Sequence, residues 1–251
     1  MVRIIMRGCN GFMGRVISEL VQQDPDCEIV AGIDISSSRI HPYPVFESLA
    51  DCHIEADVII DFASVVGIDS FLADATLKKL PIVLCTTGLS EEQISLVKET
   101  SSYIPILKSA NMSLGMNTLF KLVQEAAKVL AQAGFDIEIV EKHHNRKVDA
   151  PSGTALAIAD AINDAMNNQY EYIFDRSHQR KVREKKELGI SAVRGGTIVG
   201  EHEVIFAGTD EVIEFRHTAY SKAIFAKGAI SAAKFLVGKQ PGMYDMQEVI
   251  G

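Results

Sequence analysis

No apolar run in this chain approaches the roughly 20 residues that a membrane-spanning helix needs. The opening MVRIIMRG is apolar over too few residues to act as a secretory signal. Cysteine is scarce. Cys9, Cys27, Cys52 and Cys85 include no CxxC pair, so neither a zinc site nor a redox couple is signalled. Two of them sit in strand-like apolar runs and read as small buried side chains. Together these absences place the chain in a reducing cytoplasm. Excess positive charge is missing too. At a net charge of −8 the chain lacks the field that nucleic acid or an anionic membrane surface requires. There is no internal repeat and no low-complexity tract.

What is present suffices for a core. The 251 residues are 47% hydrophobic and 23% charged, which suits one large domain or two modest ones. Short apolar runs at Val2–Met6, Ile29–Ile33, Val58–Phe62, Ile82–Cys85 and Ile104–Leu107 read as strands. Helical spacing lies between them at Phe12–Val21, Gly67–Lys79 and Ser90–Ser101, the last opened by a Ser90/Gln93 capping box. Buried strands alternating with helices predict a parallel sheet covered on both faces. After about residue 111 the pattern changes. Helices are expected at Ser113–Ala133, Thr154–Met166 and Ser221–Val237. Half-exposed strands are expected at Asp136–Val140, Ile190–Val193, Ile198–Phe206 and Glu211–Phe215, with a turn at Gly208–Asp210. The fold class is therefore α/β: a Rossmann-type parallel-sheet domain plus an α+β domain with a mixed or antiparallel sheet. The basic segment Arg176–Lys186 reads either as a nucleic-acid patch or as a solvated loop, and the acidic total favours the loop.

Between the first strand and the first helix lies Arg7-Gly-Cys-Asn-Gly-Phe-Met-Gly14. Glycines at 8, 11 and 14 let backbone approach a pyrophosphate, and the helix N-terminus offers N–H groups and a positive dipole end. Asn10 stands where a second glycine is usual, and Asn tolerates the left-handed conformation. A tight β–α turn would also use such glycines. Asp34 ends the second strand, where an acid accepts hydrogen bonds from ribose hydroxyls and repels a 2′-phosphate, favouring NADH. Ser36, Ser37, Ser38 and Arg39 could still hold a phosphate, and Asp34 could be a plain turn residue. Thr86-Thr87-Gly88 and Ala110-Asn111-Met112 follow later parallel strands, where ligands sit in open sheets; they also suit loop caps.

Residues 140–155, VEKHHNRKVDAPSGTA, gather His143, His144, Lys147 and a Pro-Ser-Gly-Thr helix start. Histidine titrates near neutrality and can be a general acid. Lysine adds a compact charge and a second proton. Free Gly153 and Thr154 N–H groups would bind an anion. The set suits a small carboxylate substrate protonated as a hydride arrives. The bland reading is a solvated histidine pair with Asp149 capping the helix or pairing Lys147. HHxxK lacks metal-ligand spacing, so no metal is expected.

Glu141-Lys-His-His-Asn-Arg-Lys-Val-Asp-Ala-Pro-Ser-Gly-Thr-Ala155 resembles the signature of the 4-hydroxy-tetrahydrodipicolinate reductase (dihydrodipicolinate reductase) family, E-x-H-H-x-x-K-x-D-A-P-S-G-T-A. The likeness extends to Gly8–Gly14, Asp61-Phe62, Thr86-Thr87-Gly88, Ala110–Ser113, Val193–Glu203 and Phe225–Ala229. The resemblance implies NAD(P)H-dependent reduction of 4-hydroxy-tetrahydrodipicolinate, a small cyclic dicarboxylate, in lysine and diaminopimelate biosynthesis, usually by a homotetramer. It implies His143 as proton donor/acceptor and Lys147 as second donor, with His144, Gly153 and Thr154 on the substrate carboxylates. It places Gly8, Cys9, Asn10, Gly11, Phe12, Met13, Asp34, Cys85, Thr86, Thr87, Ser109, Ala110, Asn111 and Met112 along NADH or NADPH. It also implies a returning C-terminal helix, giving a dinucleotide-binding domain of 1–111 and 218–251 and a substrate-binding and oligomerisation domain of 112–217. This chain departs from the pattern in having Cys85 where a smaller residue is usual and Ile35, not a base, after Asp34. Alternatives are another two-domain dehydrogenase acting on an amino acid such as aspartate or homoserine, and a silent dinucleotide-binding protein.

Overall fold

Five apolar runs, the two-residue strand Val45–Phe46 and one C-terminal segment build the first sheet. The computed structural model describes residues 1–36 and 40–251. In chain order its elements begin β1 (Val2–Arg7), α1 (Phe12–Val21), β2 (Cys27–Ile33), β3 (Val45–Phe46), β4 (Val58–Asp61), α2 (Ile68–Lys78), β5 (Ile82–Leu84), α3 (Glu91–Thr100) and β6 (Pro105–Leu107). They continue α4 (Leu114–Leu130), β7 (Asp136–His143), α5 (Gly153–Ala165), β8 (Glu171–Ile173), β9 (Glu187–Arg194), β10 (Gly200–Ala207), β11 (Val212–Ala219), α6 (Ala223–Leu236), β12 (Gly242–Tyr244) and α7 (Met246–Ile250). The chain divides into two compact units, Met1–Leu114 with Ala223–Gly251, and Gly115–Lys222.

The first unit holds a 7-stranded sheet in the order β12-β6-β5-β4-β1-β2-β3, with every pairing parallel. The strands β4, β5 and β6 are buried along their whole length, which is why they read as unbroken apolar runs. On one side Ile4, Met6, Val58 and Ile60 pack with Ile17 of α1 and with Ala229, Ala233 and Leu236 of α6. On the other, Ile5, Ile59, Ile82 and Ile106 pack with Phe71 and Leu72 of α2 and Val97 of α3. The α3 capping box is formed, with the Ser90 hydroxyl accepting the Gln93 N–H and the Gln93 side chain accepting the Ser90 N–H. Three strands escape the sequence reading: β3, β8 and β12 have only two or three residues each and carry no periodicity.

The second unit holds a 5-stranded sheet in the order β11-β10-β7-β9-β8. It is mixed: β10 pairs β7 and β11 antiparallel, while β9 pairs β7 and β8 parallel. The Gly208 N–H donates to the Glu211 carbonyl to close the β10–β11 turn. One face packs under α4 and α5, where Val123 and Ile158 meet Ile137, Ile139 and Val204. The basic segment before β9 is strapped to the sheet. Arg183 reaches Asp136 at 2.7 Å and Glu138 at 2.8 Å, and Arg176 binds Glu187 and Glu138. That is the loop reading of Arg176–Lys186.

Candidate active site

The glycine loop opens at the carboxyl end of β1. Gly8 has φ +80°, and a Cβ there would lie 2.9 Å from the Phe62 and Ala63 backbone. A Cβ on Gly14 would lie 2.3 Å from the Gly8 carbonyl oxygen, so the first turn of α1 closes on the loop only without a side chain. Asn10 does not adopt the left-handed conformation foreseen for it; no positive φ occurs there. Its task is hydrogen bonding. The Asn10 N–H donates to Asp34 Oδ2 at 2.9 Å, and its Nδ2 donates to the Ser36 carbonyl at 2.9 Å, tying the loop to the end of β2. Ser37, Ser38 and Arg39 lie outside the described residues.

Gly8, Asn10, Gly11 and Asp34 line a cavity of about 590 Å³ shared with Phe62, Ala63 and Phe71. The loop backbone and the Asp34 carboxylate stand side by side in this cavity, a lining that could hold part of a dinucleotide. Phe12 is exposed and Met13 half-buried. Cys9 points into the core instead; burial, with Asp34 nearby, pushes its thiol up to about 11, so it offers no nucleophile.

Thr86 is buried, and its hydroxyl lies 2.7 Å from Asp61 Oδ2 and 3.0 Å from the Ala63 carbonyl. Its side chain therefore braces the strand ends. Thr87 is exposed and Cys85 half-buried. After β6 come Ser109 and Ala110, then Asn111, whose Oδ1 accepts the Ser113 N–H at 2.8 Å. Met112 is buried beneath α6. The centre sequence reasoning missed in this unit is Arg7–Asp61. Arg7 Nη1 meets Asp61 Oδ1 at 2.9 Å, with the guanidinium 4.4 Å over the Phe71 ring.

In the second unit, β7 runs from Asp136 to His143. Its burial alternates through Ile137, Ile139, Glu141 and His143, so one inward face changes from apolar to polar. Glu141 is fully enclosed. Its Oε2 lies 2.6 Å from His143 Nδ1, Arg194 donates to both its oxygens at 2.7 Å, and the Ser152 N–H donates to Oε1 at 3.0 Å. Burial opposes the Glu141 charge, but the donors from Arg194, His143 and Ser152 outweigh it and lower its pKa.

The Lys147 N–H donates to the His144 carbonyl, and the turn so formed carries the Lys147 ammonium to Asp149 at 2.8 Å. Ser152 caps α5, its hydroxyl accepting the Ala155 N–H. Lys147 holds the Asp149 carboxyl below its ordinary range. Thr154 sits half-buried in the same first turn. His144 Nδ1 is enclosed and has no hydrogen-bond partner among the described residues. His202, which sequence reasoning also missed, lies 3.1 Å from the Ser152 hydroxyl and sets its ring edge-on to His143 with centroids 5.1 Å apart. Burial, with the charge of His143, pushes its pKa down to about 4, so it is neutral at pH 7. His143, Glu141, His217 and Lys147 all lie within its electrostatic range.

Such a constellation can hold a carboxylate and move a proton. Among the described residues no group of three or more His, Cys, Asp and Glu side chains is placed to hold a metal ion, and no helix is long and apolar enough to cross a membrane.

The family model described as dihydrodipicolinate reductase, N-terminus, matches residues 2–112, and its C-terminus counterpart matches residues 115–250. A 4-hydroxy-tetrahydrodipicolinate reductase of Caldanaerobacter subterraneus subsp. tengcongensis is 52% identical over 250 residues, spanning 100% of this chain and 98% of its own. Another, of Clostridium tetani, is 52% identical over 246 residues, spanning 98% and 96%. The solved structure of a dipicolinate-bound dihydrodipicolinate reductase from Paenisporosarcina sp. TG-14 superposes with a TM-score of 0.81 over 98% of this chain and 97% of that one. At 22% identity that likeness speaks for the fold. The chain belongs to the dihydrodipicolinate reductase family of nicotinamide-dependent enzymes.

Proposed function

We propose that this chain reduces 4-hydroxy-tetrahydrodipicolinate to tetrahydrodipicolinate, in diaminopimelate and lysine biosynthesis, with the residue roles that follow. The observation that carries this reading is Asp149. Its carboxylate is paired with Lys147 at 2.8 Å, just ahead of α5 and on the chain segment that bears His143 and His144. A site that already binds an internal carboxylate suits a small cyclic dicarboxylate.

A substrate carboxylate exchanges with Asp149 for the Gly153 and Thr154 end of α5. The enclosed His144 Nδ1 gives that group a further partner. His143 donates the main proton and Lys147, released from Asp149, is the second donor. The nicotinamide supplies the hydride. Gly8, Cys9, Asn10, Gly11, Phe12 and Met13 cradle its pyrophosphate at the start of α1, chiefly through backbone. Cys85, Thr86, Thr87 and the segment Ser109, Ala110, Asn111 and Met112 flank the nicotinamide end. Asp34 takes the ribose hydroxyls, and with Ile35 beside it in place of a base the chain favours NADH over NADPH. Unit 1 is thus the dinucleotide-binding domain and unit 2 the substrate and oligomerisation domain. The assembly is a homotetramer, in keeping with exposed Val193, Val212 and Ile213 on the second sheet. Free cysteines agree with the cytoplasm.

The test is a coupled assay. Dihydrodipicolinate synthase generates the labile substrate from pyruvate and aspartate semialdehyde, and nicotinamide absorbance is followed with NADH and NADPH in parallel. Synthase-dependent oxidation, faster with NADH and lost in His143→Gln, is expected. A folded protein that binds NADH but oxidises none would defeat the reading and favour the silent binder.

A further inference from the structure

We infer that Glu141 and Arg194 are a positioning pair that fixes His143 with Nε2 as its reacting nitrogen, and that Gly200 keeps the space at that nitrogen open. The inference rests on the proton-donor role proposed for His143.

Start with the carboxylate. Glu141 has no exposed surface, and each of its oxygens accepts two hydrogen bonds: Oε1 from Arg194 Nη2 and the Ser152 N–H, Oε2 from Arg194 Nη1 and His143 Nδ1. An ionised carboxylate only accepts, so the proton in the 2.6 Å contact belongs to His143 Nδ1. That settles the ring. In neutral His143 the lone pair is on Nε2; in the cation the proton to be given away is on Nε2. A carboxylate with one free lone pair and one loose contact could swing. This one is held by a bidentate guanidinium from the neighbouring strand and by backbone from the start of α5, so the imidazole inherits the rigidity of the sheet.

Arg194 has a second effect. An enclosed carboxylate facing His143 alone would stabilise the imidazolium and resist its giving up a proton. The Arg194 charge, bound to the same two oxygens, offsets that attraction while leaving the orienting hydrogen bond in place. Glu141 thereby orients without trapping the proton.

The other side of the ring is Gly200, the first residue of β10. A Cβ there would stand 3.2 Å from His143 Nε2 and 3.5 Å from Cδ2. Every other residue type would place an apolar wall at the nitrogen that has to meet substrate. Glycine is needed here for room and not for backbone conformation, since no positive φ occurs at this position.

The test uses the full-length enzyme and the coupled assay, with Glu141→Gln, Glu141→Asp, Gly200→Ala and His143→Gln, each checked for NADH affinity and for the histidine tautomer by ¹⁵N NMR. Glu141→Gln should lower kcat by about 10²-fold or more, since a wrongly presented histidine is costly. Its substrate KM and NADH Kd should stay within about 3-fold, and the His143 Nδ1–H signal should weaken. Glu141→Asp should recover part of kcat. Gly200→Ala should lower kcat by roughly 10-fold with the tautomer unchanged, and it carries the test if Glu141→Gln fails to fold. Glu141→Gln turnover within about 3-fold of the unmodified enzyme, or an unaltered tautomer, overturns the positioning role. Free turnover in Gly200→Ala overturns the role given to Gly200. If His143→Gln itself keeps full turnover, the proton-donor reading has failed; if only His143→Gln loses it, the positioning pair alone has failed.

Discussion

Replacing His202 with Gln isolates one acid-sensitive term in the stability of the second unit. His202 is 5% exposed, and burial lowers its pKa from 6.5 to about 4. As pH falls through 6.5 the unfolded chain takes up a proton at this residue and the folded chain does not. The unfolded state then binds more protons, so unfolding free energy drops with pH, beginning near 6.5 and ending near 4. With one pK unit worth about 1.36 kcal/mol, the loss is about 2 kcal/mol at pH 5 and nears 3 kcal/mol at pH 4. Carboxylates with lowered pKa, such as Glu141, also lose their contribution on acidification, but they do so in both proteins. The measured quantity is therefore a difference of differences. Urea unfolding followed by far-UV circular dichroism at pH 7.5 and pH 5.0 gives the drop for each protein. Gln keeps a polar partner for the Ser152 hydroxyl and does not titrate. The unmodified chain should lose about 2 kcal/mol more than His202→Gln across that interval. Equal losses, within about 0.5 kcal/mol, would refute the claim that His202 is held neutral by burial.

Gly14→Ala puts a methyl 2.3 Å from the Gly8 carbonyl oxygen, where only backbone can give way; NADH affinity measured by calorimetry should fall at least about 10-fold. Asp34→Ala should raise NADPH use relative to NADH in the kcat/KM ratio, and an unchanged ratio would shift the preference to Ser36 and the residues after it. Gly228→Ala drives a Cβ to 1.6 Å from the Met112 carbonyl oxygen; α6 must lift from the loop after β6, and thermal unfolding should show a loss of about 2 kcal/mol or more.

The parallel sheet was readable because burial on both faces leaves a mark in sequence. Val58–Asp61 is buried at every position, and its run of apolar residues is bounded by acids. The short strands β3, β8 and β12 were not readable. Gly242–Tyr244 pairs with Pro105–Leu107 at the sheet edge through backbone, and three residues show neither alternation nor a helical stripe. In the site, the glycine loop was readable because strand, glycine and helix follow one another in the chain. Asn10 was misread because its position suggested a conformational role, while its bonds to Asp34 and Ser36 come from chain more than twenty residues away. His143 and Lys147 declared themselves by chemistry. Glu141 was quoted in the signature and given no task, since its partner Arg194 is 53 residues on. One signal was present: Ile137, Ile139, Glu141 and His143 share one period-two phase, so a buried face was ending in an acid and a histidine.

That ending recurs in the other unit, and the recurrence explains why neither carboxylate is a liability. At the carboxyl end of β4, Asp61 is fully enclosed and pairs with Arg7, its register partner on β1. At the end of β7, Glu141 is enclosed and pairs with Arg194 of β9, where His143 and Arg194 are register partners. Such buried pairs are poor sources of net stability, because desolvation offsets most of the attraction, although removing one partner costs about 3–5 kcal/mol. Stability therefore does not account for them. Each acid gathers groups from residues that follow it in the chain: Asp61 takes the Ala63 N–H and the Thr86 hydroxyl, Glu141 takes His143 Nδ1 and the Ser152 N–H. In both units an arginine from the adjacent strand pairs with an enclosed carboxylate, and the carboxylate sets the positions of the segments beyond the strand end. The two pairs are the points where the rigidity of each sheet passes into the loops proposed to do the chemistry.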